Sequence, residues 1–449
     1  MGSRSEEVTG TGSVSGKEST GNGVVSGNGA VFARPPVNAA ALRAAREFPA
    51  LEAIFTRRSR RFALGAELTG PLAHRSEREP LPLSEQEEAI LVAAATGITG
   101  VANDEWPFTD AEGRGTGADK LTSYTGRAFP SPLATHGTEL FWTNDDGVFV
   151  LPQRDPRAAN GPQLHQEGEA HALYRQAVRL GRERLDVPRR TPNLFGLNHW
   201  VVNTAGSTLF IPIADVTRQC ISAMLLYFDA PHRYYIHDPR LGGDPLHPLV
   251  RQGWFNRSHP VDLWDFERWQ MVDMNGVEAG LMVANLLIAT QALGLGGHPF
   301  SGGKGRVTMG GTELWHAAGG EGSAGSLGFK FHQIPEDAPL GAGERIPVGL
   351  PGIFEGYLPP FHRSMADAVD AVVALRWGAD GVFSAPERHR IPWSDAAVLQ
   401  GIPRPAPEAV EATKLLCTYI WETYGRFPAT IDPFLTTVWY QAHHLDTAF

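Results

Sequence analysis

The stretch GVEAGLMVANLLIATQALGLGGHPFSG occupies residues 276–302. From Val277 to Leu293 its apolar residues fall on nearly every helical face, and Ala279, Gly280, Ala284 and Ala289 are small enough for other elements to approach closely. The pattern predicts a helix buried on all sides. It is too short to span a bilayer and is interrupted by Glu278, Asn285 and Gln291, so a core helix is expected rather than a membrane helix. Gly294 and Gly296 stand where glycines stop a helix.

Around that helix, composition sets bounds. The chain has 449 residues, and its 42% hydrophobic content is enough for a sizeable core. A formal net charge of -10 argues against broad nucleic-acid binding, because only short basic runs at 57–61 and 189–190 offset it. Cys220 and Cys417 are too few for a disulfide scaffold and lack metal-site spacing, so they read as buried thiols. No apolar leader precedes a small-residue cleavage site, which makes a cytoplasmic protein without a membrane partner the expectation.

In chain order, residues 1–34 are Gly, Ser, Thr and Val with scattered charge and predict a disordered tail. Residues 39–55 predict a helix that delivers the chain into Arg57-Arg58-Ser59-Arg60-Arg61. Four arginines in five positions make either a solvated basic turn or an anion site, since guanidinium forks match phosphate geometry. Ser84 and Glu87 form a capping box before the apolar run 89–95, which Gly97 ends. The polar, Gly-rich stretch 104–125 reads as a loop of the kind that lies over a site. After Arg127-Ala128-Phe129-Pro130-Ser131-Pro132, runs at 138–143 and 148–151 flank Asn144-Asp145-Asp146-Gly147 as a hairpin.

Further on, 165–185 reads as a charged surface helix, 207–213 and 233–237 as strands, and 218–228 as either helix or strand. Trp254, Trp264 and Trp269 fit an irregular insertion rather than a ligand cage. Helices are expected at 365–375, capped by Ser364, and at 408–424. Several familiar motifs fail. Gly294-Leu295-Gly296 follows a helix instead of a strand and has Pro299 in the third glycine's place; Gly303-Lys304 lacks the Ser or Thr of a nucleotide-triphosphate loop. No G-x-S-x-G occurs, and His443, His444 and Asp446 read as polar surface, not as a metal site.

Four pieces remain in one order: Arg57-Arg58-Ser59-x-Arg61, the helix ending Ala94-Ala95-Thr96-Gly97-Ile98-Thr99, Arg127-x-x-Pro130-Ser131 before a strand, and the helix from Asn285 with its GLG end. Together they resemble the FMN-dependent nitroreductase superfamily, and the second and third resemble its SagB-type dehydrogenase branch. The Lys-x-Tyr pair of that family's thiazoline-forming oxidases has no counterpart here, which argues against azoline oxidation. The resemblance implies an α+β fold, a mixed sheet wrapped by helices over 35–449, with a large insertion at about 152–270 and a C-terminal extension at about 380–449.

It further implies FMN, with Arg57, Arg58, Ser59 and Arg61 as phosphate and ribityl contacts and Pro130 and Ser131 at the ring edge. Pro299, Phe300, Ser301 and Gly302 match the backbone stretch along the ring, where a main-chain N–H faces N5 and stabilises reduced charge without a catalytic side chain. Arg363 matches a C-terminal phosphate contact or is a surface arginine. NAD(P)H is the implied electron donor and a small organic molecule, such as a nitro, quinone or enone compound, the acceptor. The alternatives are an oxidase or dehydrogenase of a natural-product or peptide intermediate, and a non-enzymatic flavin-binding protein. In the family the site lies at a two-fold interface near the central helix. With no second set of the motifs in the chain, a homodimer is expected over an internal pseudo-dimer.

Overall fold

Successive residues of a strand point to opposite faces, and a sheet covered on both faces therefore reads as a continuous apolar run. The main sheet has seven strands, β1 (Thr138–Asn144), β2 (Gly147–Leu151), β3 (Val178–Gly181), β4 (Thr208–Asp215), β5 (Gly296–Phe300), β6 (Thr430–Ile431) and β7 (Trp439–His443); five show this, with β1, β2, β4 and β7 buried throughout and β5 over Gly296–His298. The order is β5-β7-β4-β1-β2-β3, with β6 also paired to β4. The computed structural model describes residues 43–45, 47–101, 109–121, 125–153, 167–189, 194–300, 308–310, 326–389, 396–428, 430–431 and 439–449. The expected tail at 1–34 lies outside them.

All pairings in this sheet are antiparallel. The expected mixed sheet is therefore not what the described residues form: parallel pairing joins Tyr234–His237 to Asn256–Asp262 in a separate two-stranded ribbon. Local pattern carries strand identity but not partner direction, which long-range register decides. The hairpin of β1 and β2 turns at Asn144–Gly147 as the sequence indicates. By contrast, 165–185 is not one helix; it divides into a helix, Glu167–Tyr174, and the edge strand β3.

The helices that position the sheet are α1 (Ala50–Thr56), α2 (Glu85–Thr96), α3 (Glu167–Tyr174), α4 (Thr217–Phe228), α5 (Met274–Ala292), α6 (Met365–Trp377) and α7 (Pro407–Tyr424). One sheet face presents Trp142, Phe149, Phe210 and Tyr440 to Leu91 and Val92 of α2 and Met282 and Leu286 of α5. The other face presents Phe141, Val150, Leu209, Ile211 and Trp439 to Leu185, Val202, Phe329 and Phe354. A third core joins α4, α6 and α7 through Met224, Val369 and Leu416, and it encloses Cys220 and Cys417. Burial pushes both thiols up from their ordinary range, so they pack as small hydrophobes. The segment 218–228, open between helix and strand, is α4; the Asp215 carboxylate accepts from the Thr217 N–H at 2.9 Å and starts it.

Two boundaries move. Strand β4, at the centre of the sheet, lies inside the stretch expected to be an insertion, and β7 lies inside the expected C-terminal extension. Both stretches are integral to the sheet. The central helix also departs from expectation. Asn275, Glu278, Ala279, Met282, Val283, Leu286 and Thr290 of α5 are buried, whereas Val277 is 49% exposed, Gly280 is exposed, and Leu281, Ala284 and Ile288 are half-covered. Among the described residues, a helix apolar all round is thus covered mainly on one side. Beside it, α1 exposes Leu51, Ile54 and Phe55.

Candidate functional site

Helix α1 ends at Thr56, and the arginine segment leaves it extended. Arg60 pairs antiparallel with Gly297 of β5, Ala63 with Leu445, and the Leu64 N–H donates to the His444 carbonyl at 3.1 Å. The segment therefore runs along the outer edge of β5. Close approach there requires glycine. A Cβ on Gly297 would stand 2.2 Å from the Tyr440 hydroxyl, and one on Gly296 2.4 Å from a Leu445 methyl. Gly294, at φ +71, makes the left-handed turn from α5 into this strand.

Arg57, Arg58, Ser59 and Arg60 are exposed and Arg61 is half-buried. Arg58 donates to the backbone carbonyls of Thr56 and Arg57 at 3.1 and 3.0 Å. Among the described residues none of the four guanidinium groups has a carboxylate partner, in a chain whose net charge is -10. Such a cluster fits a phosphate: its like charges repel one another until an anion is shared. Beneath it lie His298 and His443, both buried, with ring centroids 6.1 Å apart. Burial, then each ring's charged neighbours, Arg61 among those of His298, hold their pKa values down to about 3 and about 4. Both imidazoles are neutral at pH 7. His443, expected on a polar surface, is instead a core residue, because β7 is an interior strand.

The Arg127–Thr138 segment occupies the other end of α5. Arg127 is fully enclosed, donates to Thr96 and Gln153, and lies 3.5 Å from Glu139. Pro130 is exposed and Ser131 half-buried. Two polar residues of α5 fasten this segment. Asn285 donates to the carbonyls of Ala94 and Ala128 at 3.0 and 2.9 Å, tying it to the end of α2. Glu278 accepts from Ser131, Thr135, Gly137 and Thr138. From the opposite side Arg218 of α4 donates to the Thr135 carbonyl at 2.8 Å.

The predicted residues therefore fall into two groups. The arginine segment lies along β5, with Arg60 opposite Gly297 and Arg61 near His298. Ser131 sits at Glu278, whereas Arg57 lies near Tyr440, which stands beside Thr290. Twelve residues of helix at about 1.5 Å each separate those two levels of α5 by about 18 Å. Arg363 belongs to neither group: it is exposed at the start of α6 and pairs with Asp367 at 2.9 Å. Ser301 and Gly302 lie outside the described residues. Sequence reasoning passed over Glu278 and Asn285 as interruptions of an apolar run. Their spacing of seven, two turns on one face, was the available signal. Among the described residues no group of three His, Cys, Asp or Glu side chains could hold a metal, and no helix is long and apolar enough to cross a membrane.

No family model matches the chain, and a search of curated proteins found no match. Among solved structures, a crystal structure of a candidate nitroreductase from Ralstonia eutropha JMP134 is similar over 61% of this chain and 77% of its own, at 15% identity and a TM-score of 0.26. A likeness of that size carries no assignment, and the site geometry has to stand by itself.

Proposed function

We propose that this chain is an FMN-dependent oxidoreductase of the nitroreductase kind. The observation that carries the reading is the line of four arginines that have no carboxylate partner among the described residues, laid along a glycine-lined strand edge. Bound FMN would supply the two-electron chemistry, taking hydride from NAD(P)H and passing it to a small organic acceptor. Arg57, Arg58, Ser59 and Arg61 would hold the phosphate and ribityl chain, and the Pro299–Phe300 backbone would border the ring. With His298 and His443 neutral at pH 7, the positive charge at the phosphate site would come from the arginines.

The reading includes a two-fold homodimer, for a physical reason. Ser131, at Glu278, and Tyr440, beside Thr290 and Arg57, stand at levels of α5 about 18 Å apart, and in the dimer a partner's Pro130 and Ser131 would border the ring. Two copies of α5 packed antiparallel through their open Gly280 and Ala284 stripes would bring the Ser131 end of one helix to the arginine end of its partner. The exposed Leu51, Ile54 and Phe55 of α1 would be covered in the same contact.

The test is flavin binding. Purified protein is expected to be yellow and to bleach anaerobically on addition of NADPH or NADH. Replacing Arg57 and Arg61 with alanine is expected to weaken FMN by about 1.5–3 kcal/mol per charged hydrogen bond lost, tenfold or more each. A double variant with unchanged affinity refutes the phosphate assignment. Bound FMN that no nicotinamide reduces would instead identify a flavin-binding protein or an enzyme with another electron donor.

A further inference from the structure

Glu278 is wholly buried on α5, and five donors converge on its carboxylate: the hydroxyls of Ser131, Thr135 and Thr138 and the N–H groups of Gly137 and Thr138. The Thr135 and Thr138 hydroxyls lie 2.9 and 2.8 Å away, and the two amides 3.1 Å each. The turn so gripped is strained. Ala134 and His136 have φ values of 50° and 45°, a left-handed conformation that side chains with a Cβ rarely adopt. Nothing in the local sequence, Ser-Pro-Leu-Ala-Thr-His-Gly-Thr, favours that conformation at alanine. Contacts from outside must hold it.

We infer that Glu278 is a positioning residue, whose carboxylate sets the strained Ser131–Thr138 turn and so fixes where Pro130 and Ser131 stand against a bound flavin; this rests on the functional reading above. The acceptor count explains the residue type. A glutamine of the same shape presents an acceptor at one end and N–H donors at the other, and the other end would face the N–H groups of Gly137 and Thr138. An alanine would leave all five donors unpaired in the interior. Asn285, two turns along the same helix, holds the carbonyl of Ala128, so the segment is anchored at both ends by one rigid element.

Glu278→Gln in the full-length protein tests this with two readouts. In the flavin-free state, hydrogen exchange at Gly137 and Thr138 is expected to accelerate about tenfold or more. In the flavin-loaded state, FMN affinity should change little, because the arginines are untouched. The visible circular dichroism of the flavin should change, and its reduction by NADPH should slow about tenfold with little change in KM. Unchanged exchange, or faster exchange with unaltered flavin dichroism and reduction rate, overturns the inference. If Glu278→Gln does not fold, Thr135→Val removes one of the five donors from the turn side and is read in the same way. A wild-type chain that takes up no FMN overturns the functional reading instead, and the exchange result then still decides whether Glu278 holds the turn.

Discussion

Gly280 offers opposed outcomes for the free chain and for the proposed dimer. It is exposed in the middle of the first half of α5, and a Cβ built on it meets no heavy atom within 4 Å. In the isolated chain, replacing a mid-helix glycine removes an entropic penalty, so Gly280→Ala should raise stability by about 0.5–1 kcal/mol. Gly280→Leu should be tolerated there equally well, because its side chain enters open space. In a two-fold contact through the same stripe, each protomer places its leucine against its partner's helix. Overpacking costs about 1–3 kcal/mol per site, and the symmetry counts it twice. A loss near 3 kcal/mol corresponds to a dimer Kd raised by about a hundredfold or more. Urea denaturation and light scattering over a concentration series read the two effects separately. A Gly280→Leu protein with the wild-type dimer constant would refute the proposed contact. A wild-type monomer with full FMN occupancy would show that the site is completed within one chain.

Stability should fall below neutral pH. His136, like His298, is held at about 3 and His443 at about 4, burial being the leading cause in each case. The unfolded chain protonates these histidines near 6.5 while the folded chain does not, so it binds more protons in between. Their contribution is complete above pH 6.5 and is lost as the pH falls toward 3 to 4, by on the order of 2 kcal/mol per histidine at pH 5. Denaturation at pH 7 and pH 5 measures it, and a flat profile would refute it. Leu286→Ala, at a wholly buried α5 position between α2 and the sheet, should cost about 2–5 kcal/mol; a loss below 1 kcal/mol on denaturation would mean that α5 is not the core element described here.

Much of the local structure was legible because its causes are local. The Ser84–Glu87 box forms as read, with the Ser84 hydroxyl accepting from the Glu87 N–H and the Glu87 carboxylate from the Ser84 N–H. Ser364 caps α6 by accepting from the Asp367 N–H, and the turn at Asn144–Gly147 joins β1 to β2. These depend on residues three or four apart, which a sequence displays directly. The arginine cluster and the glycines after α5 were visible for the same reason. Their meeting was not: Arg60 and Gly297 are distant in the chain, and only the edge of β5 brings them together. Nor did periodicity reveal that β4 and β7 are interior strands, since an apolar run buried on both faces has no alternation to show which strand lies beside it. The central helix is the sharpest case. Its sequence announced an apolar surface on every side, but whether a second layer of this chain or another molecule covers the Gly280 stripe is set by where α1, α2 and the sheet pack. They leave that stripe open and turn Glu278 and Asn285 inward, because a buried carboxylate and a half-buried amide must find partners and the Arg127–Thr138 segment supplies them.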